Sequence, residues 1–92
     1  MNDRLHMDPR FVELTDSQLQ TIEDLLSNNE IATDEELVAF FIGEGIPEGV
    51  AEAGIGFRGQ YLTEIYQAGL TPIRAGSQAR RYNSHARRFE SN

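Results

Sequence analysis

The residues best suited to chemistry lie in the last nineteen of the ninety-two. Aligned on itself, that tail reads Ser77-Gln78-Ala79-Arg80-Arg81-Tyr82-Asn83 and then Ser84-His85-Ala86-Arg87-Arg88-Phe89-Glu90. The pattern S-x-A-R-R-[YF]-x thus occurs twice, with a period of seven. Seven residues are nearly two turns of helix, so the spacing predicts a basic helix or arm with Tyr82 and Phe89 on one face. An arginine doublet next to an aromatic ring suits an anchor. Guanidinium pairs with carboxylate or phosphate in a planar fork, and arginine and tyrosine are favoured at interfaces. The candidate anchor is Arg80, Arg81, Tyr82, Arg87, Arg88 and Phe89. The same set suits clamping nucleic-acid phosphates, with bases stacked on the rings. The plain alternative is an amphipathic helix with both rings in the core and the arginines in water.

A second set is acidic. Glu44, Glu48 and Glu52 recur at four-residue steps, with Asp34, Glu35 and Glu36 upstream. Hard cations favour such oxygens. Yet Gly45 and Pro47 interrupt the helix that would align them, and no EF-hand loop is present, so a solvated acidic face is expected. A surface dense in carboxylates also imitates nucleic acid and suits a basic groove on a target protein.

Catalytic chemistry has little to work with. Cysteine and lysine are absent, and the two histidines, His6 and His85, are far apart. No histidine stands near both a serine and an acid in a nucleophilic motif. Gly43-x-Gly45 and Gly54-x-Gly56 follow no strand and have no lysine to complete a phosphate loop. The expectation is a non-enzyme without metal or cofactor.

Charge separates along the chain, whose formal net charge is −7. Residues 1–73 hold fourteen acids against three arginines, a net of −11. Residues 74–92 hold five arginines against Glu90, a net of +4. An acidic body with a basic tail is a pattern of interaction segments. The expected partner is a protein or a second copy, with the tail docking on a neighbour's acidic face and burying Tyr82 and Phe89. Nucleic acid is the less favoured partner, because the acidic body repels a polyanion. All eight basic residues are arginine. Genome composition or a high-salt habitat accounts for that without function, and selection for bidentate pairing is the alternative.

No apolar run approaches the ~18 residues of a membrane span. The first ten residues lack the apolar stretch of a secretory signal. A cytoplasmic or virion-associated protein with no membrane contact is therefore expected.

The elements that must position these residues read as helices. Residues 1–14 have no period and suggest an extended arm, with Phe11, Val12 and Leu14 candidates to pin it. Thr15-Asp16-Ser17-Gln18 and Thr33-Asp34-Glu35-Glu36 have capping-box spacing. The first predicts a helix over 16–28, with Leu19, Ile22, Leu25 and Leu26 as its stripe and Asn28-Asn29 as its stop. The second opens a helix that Gly43-Glu44-Gly45 ends. Its apolar density from Leu37 to Ile42 predicts burial on more than one side. Pro47 suits the first position of a short third helix, where small residues allow a close crossing. Phe57 to Ala68 predicts a fourth, with Phe57, Tyr61 and Ile65 in line and Gly69 as its cap.

Two likenesses are narrower. Ala39, Gly43 and Ile46 loosely resemble the spacing of small helix-turn-helix DNA binders, but Pro47–Glu52 would then be a recognition helix with two acids and no base. The stretch Ile46-Pro47-Glu48-Gly49-Val50-Ala51-Glu52-Ala53 is similar to the helix-two region of compact three-helix ubiquitin-associated folds. It covers eight residues of ninety-two, lacks that family's loop signature and implies no function here.

The expected fold is all-α: a compact bundle of about four short helices. The expected domain order is an arm over 1–14, an acidic helical domain over 15–73 and a basic helix or tail over 74–92. The expected function is a non-catalytic protein-interaction or assembly module, such as a small subunit of a virion or other large complex. The alternatives are a small acidic regulator of a basic site and an accessory protein that binds nucleic acid by its tail.

Overall fold

Helix starts are where this chain is most explicit. Thr15 and Thr33 each offer a hydroxyl to an orphan amide three residues on, and Gln18 and Glu36 reach back to the threonine amide. In the computed structural model, which describes residues 7–67 and 69–91, both boxes are closed. Gln18 N–H donates to Thr15 Oγ1 at 3.1 Å, and Thr15 N–H donates to Gln18 Oε1 at 3.0 Å. Glu36 N–H donates to Thr33 Oγ1 at 3.1 Å, and Thr33 N–H donates to Glu36 Oε1 at 2.8 Å. Helices α1 (Asp16–Asn28) and α2 (Asp34–Gly43) follow directly. Helix α1 keeps the predicted bounds and buries Leu19, Ile22 and Leu26. Asn29 stops it, though not through a left-handed backbone. Its φ is −99°, and its side-chain Oδ1 accepts from the amides of Ile31 and Ala32.

Helix α2 ends in a Schellman turn. Ile46 N–H donates to Phe41 O and Gly45 N–H donates to Ile42 O, with Gly45 at φ +87°. That conformation favours glycine, and Phe41 and Ile46 are both fully buried beside it. Helix α3 (Glu48–Ile55) then starts after Pro47, which stands as its N-cap rather than inside the first turn. The crossing of α3 with α2 and α1 buries Ala51 and Gly54, the small residues expected at a tight contact. Helix α4 (Arg58–Thr63) contributes Tyr61 to the interior.

The chain divides into two compact units. One comprises residues 13–62, and the other comprises residues 1–12 with 63–92. The interior of the helical unit is Leu14, Leu19, Ile22, Leu26, Leu37, Phe41, Ile46, Ala51 and Tyr61. One acid lies among them: Glu23, 8% exposed, accepts a 2.7 Å hydrogen bond from the Tyr61 hydroxyl.

In the other unit Met7, Phe11, Ile73, Ala75 and Ala79 are buried. The arm is more ordered than expected. Asp8 caps a 3-10 turn over Pro9–Phe11, and its own amide donates to Ile73 O at 3.0 Å. Phe11 is fully buried, whereas Val12 is exposed. Residues 1–6 of the expected arm, His6 among them, lie outside the described residues, as do Ala68 and Asn92. Helix α5 (Pro72–Ala75) opens on a Thr71 cap with Pro72 at its start.

Three expectations change here. Helix four stops at Thr63, not Ala68, so Ile65 leaves the predicted stripe and is 68% exposed. Gly69, at φ +78°, serves a turn in which Leu70 N–H donates to Gln67 O. The basic tail is not a helix. It forms strands β1 (Arg80–Asn83) and β2 (Arg88–Ser91), paired antiparallel with Tyr82 opposite Phe89 and Arg81 opposite Glu90. The free edge of β1 is covered as well. Gln67 N–H donates to Arg80 O, Arg80 N–H to Leu70 O, and Tyr82 N–H to Ile65 O. The all-α reading therefore becomes a mostly helical chain with one small sheet.

The reason is local as much as tertiary. A helix here would bury only two rings and two alanines, and a short helix without a broad apolar face is marginal in water. Asn83 instead folds the chain back, its Oδ1 accepting from the amides of His85 and Ala86 at 2.9 and 3.1 Å. That side-chain turn competes directly with helix.

Candidate functional site

A fourth correction produces the site. Helix α2 was expected to be buried on more than one side, but it buries Leu37 and Phe41 alone. Phe40 and Ile42 remain 48% and 43% exposed. The surplus apolar residues of this helix face outward. Val38, Ala39 and Ile42 form the floor of an open groove of about 350 Å³ between α2 and α3. Asp34 and Glu35 rim it from α2, and Glu48 and Glu52 rim it from α3. Helical spacing explains the α2 side, because Glu35, Val38, Ala39 and Ile42 follow at i, i+3, i+4 and i+7. Glu48 and Glu52 are one turn apart on α3.

Four of the six acids singled out in the sequence thus share one groove. Glu36 instead accepts the Thr33 amide in the capping box. Glu44 follows α2, where its carbonyl accepts from Gln18 Nε2 at 3.4 Å. The rim acids are not equivalent. Asp34 accepts a 2.7 Å ion pair from Arg58. Among the described residues Glu35, Glu48 and Glu52 have no ion pair. No three ligating side chains among the described residues converge to hold a metal ion.

Arg58 is the residue that sequence reasoning passed over. Its side chain is 13% exposed. Beyond Asp34, its guanidinium donates to Asn29 O at 2.8 Å and Ala32 O at 2.7 Å. The fork thereby fastens the loop before α2 and the first residue of α2 to α4. The signal was available in the charge count. Residues 13–62 hold eleven acids and a single arginine, a net of −10, and that arginine is Arg58. A lone cation in so acidic a unit is well placed to satisfy several acceptors at once.

The arginine set is gathered in the hairpin. Strand alternation puts Arg80, Tyr82 and Phe89 on one face and Arg81, Asn83, Arg88 and Glu90 on the other. The rings of Tyr82 and Phe89 meet edge to face, with centroids 5.5 Å apart and planes at 69°. The second face neutralises its own charges. Arg81 lies 3.5 Å from Glu64, and Arg88 lies 3.3 Å from Glu90. The hydrogen bond from Asn83, then the contact with Arg88, holds the Glu90 carboxyl below the usual glutamate range. Burial pushes the Tyr66 hydroxyl up, aided by Glu64. Arg80 and Arg87 have no ion pair among the described residues. Tyr82 stays 36% exposed beside Arg80. Arg87 sits at the end of the turn with φ +56°.

Chemically, the groove offers an apolar floor with fixed negative charge around it, and the hairpin offers cations around an exposed ring. No helix among the described residues is long and apolar enough to cross a membrane. No family model matches the chain, and neither a curated protein nor a solved structure matches it.

Proposed function

We propose that this chain is a non-catalytic protein-interaction module whose binding face is the α2–α3 groove. The observation that carries the reading is the exposure of Ala39 and Ile42, with half-buried Val38 beside them, inside a ring of carboxylates. Apolar side chains on a helix gain stability by burial, and here two of them are exposed and a third is only half-buried. A partner segment with an apolar anchor and flanking cations fits both parts. The floor supplies burial, and the acids supply steering and register. An enzyme's pocket would instead converge polar groups on a reacting atom.

The test is a titration of the full chain with a fluorescein-labelled synthetic amphipathic peptide of leucine and arginine, read by anisotropy. Saturable binding in the micromolar range that weakens with salt is expected. Glu35→Arg with Glu52→Arg should weaken it at least about ten-fold. Glu13→Arg with Glu30→Arg changes net charge equally but lies off the groove, and should change binding far less. Equal losses in the two double variants would show general charge attraction and defeat the reading.

A further inference from the structure

We infer that the groove is occupied by the arginine hairpin of a second copy of this chain. The inference rests on the groove being a protein-binding face and goes further by naming the occupant. Its basis is complementarity between two sets of groups left over after internal pairing. On the groove, Glu35, Glu48 and Glu52 are the rim acids with no ion pair among the described residues, and Val38, Ala39 and Ile42 lie between them. On the hairpin, Arg81 and Arg88 are matched by Glu64 and Glu90, whereas Arg80 and Arg87 have no ion pair among the described residues and Tyr82 is exposed between them in sequence. Such cations around a ring suit such carboxylates around an apolar floor. Arginine and tyrosine are also the side chains that anchor interfaces best.

The backbone of Arg87 gives a second, independent observation. It is the one non-glycine residue with positive φ among those described. A left-handed backbone disfavours a residue with a Cβ by about 1–2 kcal/mol, and glycine would relieve that strain. Strain held at an exposed turn points to a use for the side chain. An arginine at the hairpin tip, displayed beyond the paired strands, is placed to reach an acid on a neighbour.

Because groove and hairpin lie on the same chain, such docking is heterologous. Each copy gives its hairpin to one neighbour and its groove to another, which closes a ring or extends a filament. Units of opposite sign, −10 for residues 13–62 and +3 for the remainder, favour this head-to-tail order.

The experiment is light scattering on the full chain, from micromolar to near-millimolar concentration, at low and moderate salt. Wild type should exceed the 10.4 kDa of one chain, with mass rising with concentration and falling with salt. Glu35→Arg with Glu52→Arg, and separately Arg80→Glu with Arg87→Glu, should each hold the mass of one chain. Their circular dichroism should match wild type. Mixing the two should restore association, because an intact groove then meets an intact hairpin. Arg87→Gly should melt no lower than wild type yet associate about ten-fold more weakly, a split that a merely structural arginine would not give. Wild type at the mass of one chain throughout, or variants that associate like wild type, would overturn the inference. If wild type is a single chain but the leucine–arginine peptide binds the groove, only the occupant is wrong. If neither binds, the groove reading falls with it.

Discussion

Residues 13–62 and residues 63–91 solve the problem of a small interior in opposite ways. The helical unit takes its order from nearest neighbours: threonine boxes start helices, Asn29 and Gly45 stop them, and buried residues recur every three or four positions. The second stretch takes its order from pairings across sequence. Segment 65–67 pairs with β1 and β1 pairs with β2. The first stretch carries eleven of the fifteen acids of the chain and the second five of its eight arginines. One consequence is an asymmetry in what each can lose. A helical unit with fully buried Phe41, Leu19, Ile22, Leu26 and Ile46 concentrates its stability in packing. The hairpin, with Tyr82 exposed and Phe89 half-buried, rests on backbone pairing and polar contacts.

The comparison is most easily broken at the two phenylalanines. Phe41→Ala opens a cavity in a closed interior and should cost about 3–5 kcal/mol. Phe89→Ala removes one edge-to-face partner and partial burial, and should cost about 1 kcal/mol. Urea unfolding followed by amide hydrogen exchange checks both magnitude and place. Similar losses from the two substitutions would show that the hairpin is a packed core element after all.

Next in size is Arg58→Met. The substitution keeps the length of the side chain but leaves the carbonyls of Asn29 and Ala32 without their donor. A loss of about 2–3 kcal/mol is expected, with exchange protection falling first at the loop before α2. If Arg58→Met is neutral, the guanidinium is not what fastens α2. Tyr61→Phe follows, at about 1–3 kcal/mol, because it takes the phenolic donor from buried Glu23. Combining it with Glu23→Leu should return much of that loss, since the buried carboxylate that lost its phenolic donor is then gone as well. Additive losses in the double variant would mean that Glu23 draws its stability from other partners.

The same contrast explains what was legible. Capping boxes and stripes are short-range, so α1, α2 and the Gly45 stop could be read residue by residue. Burial could not. The run Leu37 to Ile42 looks like a doubly buried helix, but whether Phe40 and Ile42 meet another element depends on the path of α3. The groove floor was therefore mistaken for interior, although four of its rim acids had been singled out. The arginine repeat was misread for a related reason. A period of seven suits helix, but an antiparallel register also sets Tyr82 against Phe89, and only Asn83 argued for the turn. Arg58 was missed because its three acceptors are a loop carbonyl at Asn29, another at Ala32, and Asp34. Carbonyl acceptors have no signature in residue types.

The smallest effect expected is a response to acid, and it sharpens the comparison from the arginine-bearing side. The side-chain hydrogen bond from Arg10 holds the Asp8 carboxyl below its ordinary range, and Asn83 and Arg88 do the same for Glu90. Both carboxyls thus have lower pKa values folded than unfolded. Unfolding takes up protons between the two values, so their stabilising contribution is complete above the ordinary carboxyl range. It fades as pH falls below about 4, through the lowered folded values. Asp8 caps the 3-10 turn whose Phe11 is buried, and Glu90 ties β2 to Asn83. Amide protection factors in residues 8–11 and 80–90, which divide out the intrinsic slowing of exchange in acid, should therefore fall on acidification toward pH 3. Asp8→Asn should remove the first part of that response and Glu90→Gln the second. An acid response unchanged in the combined variant would show that these contacts follow the fold of the hairpin unit and do not hold it.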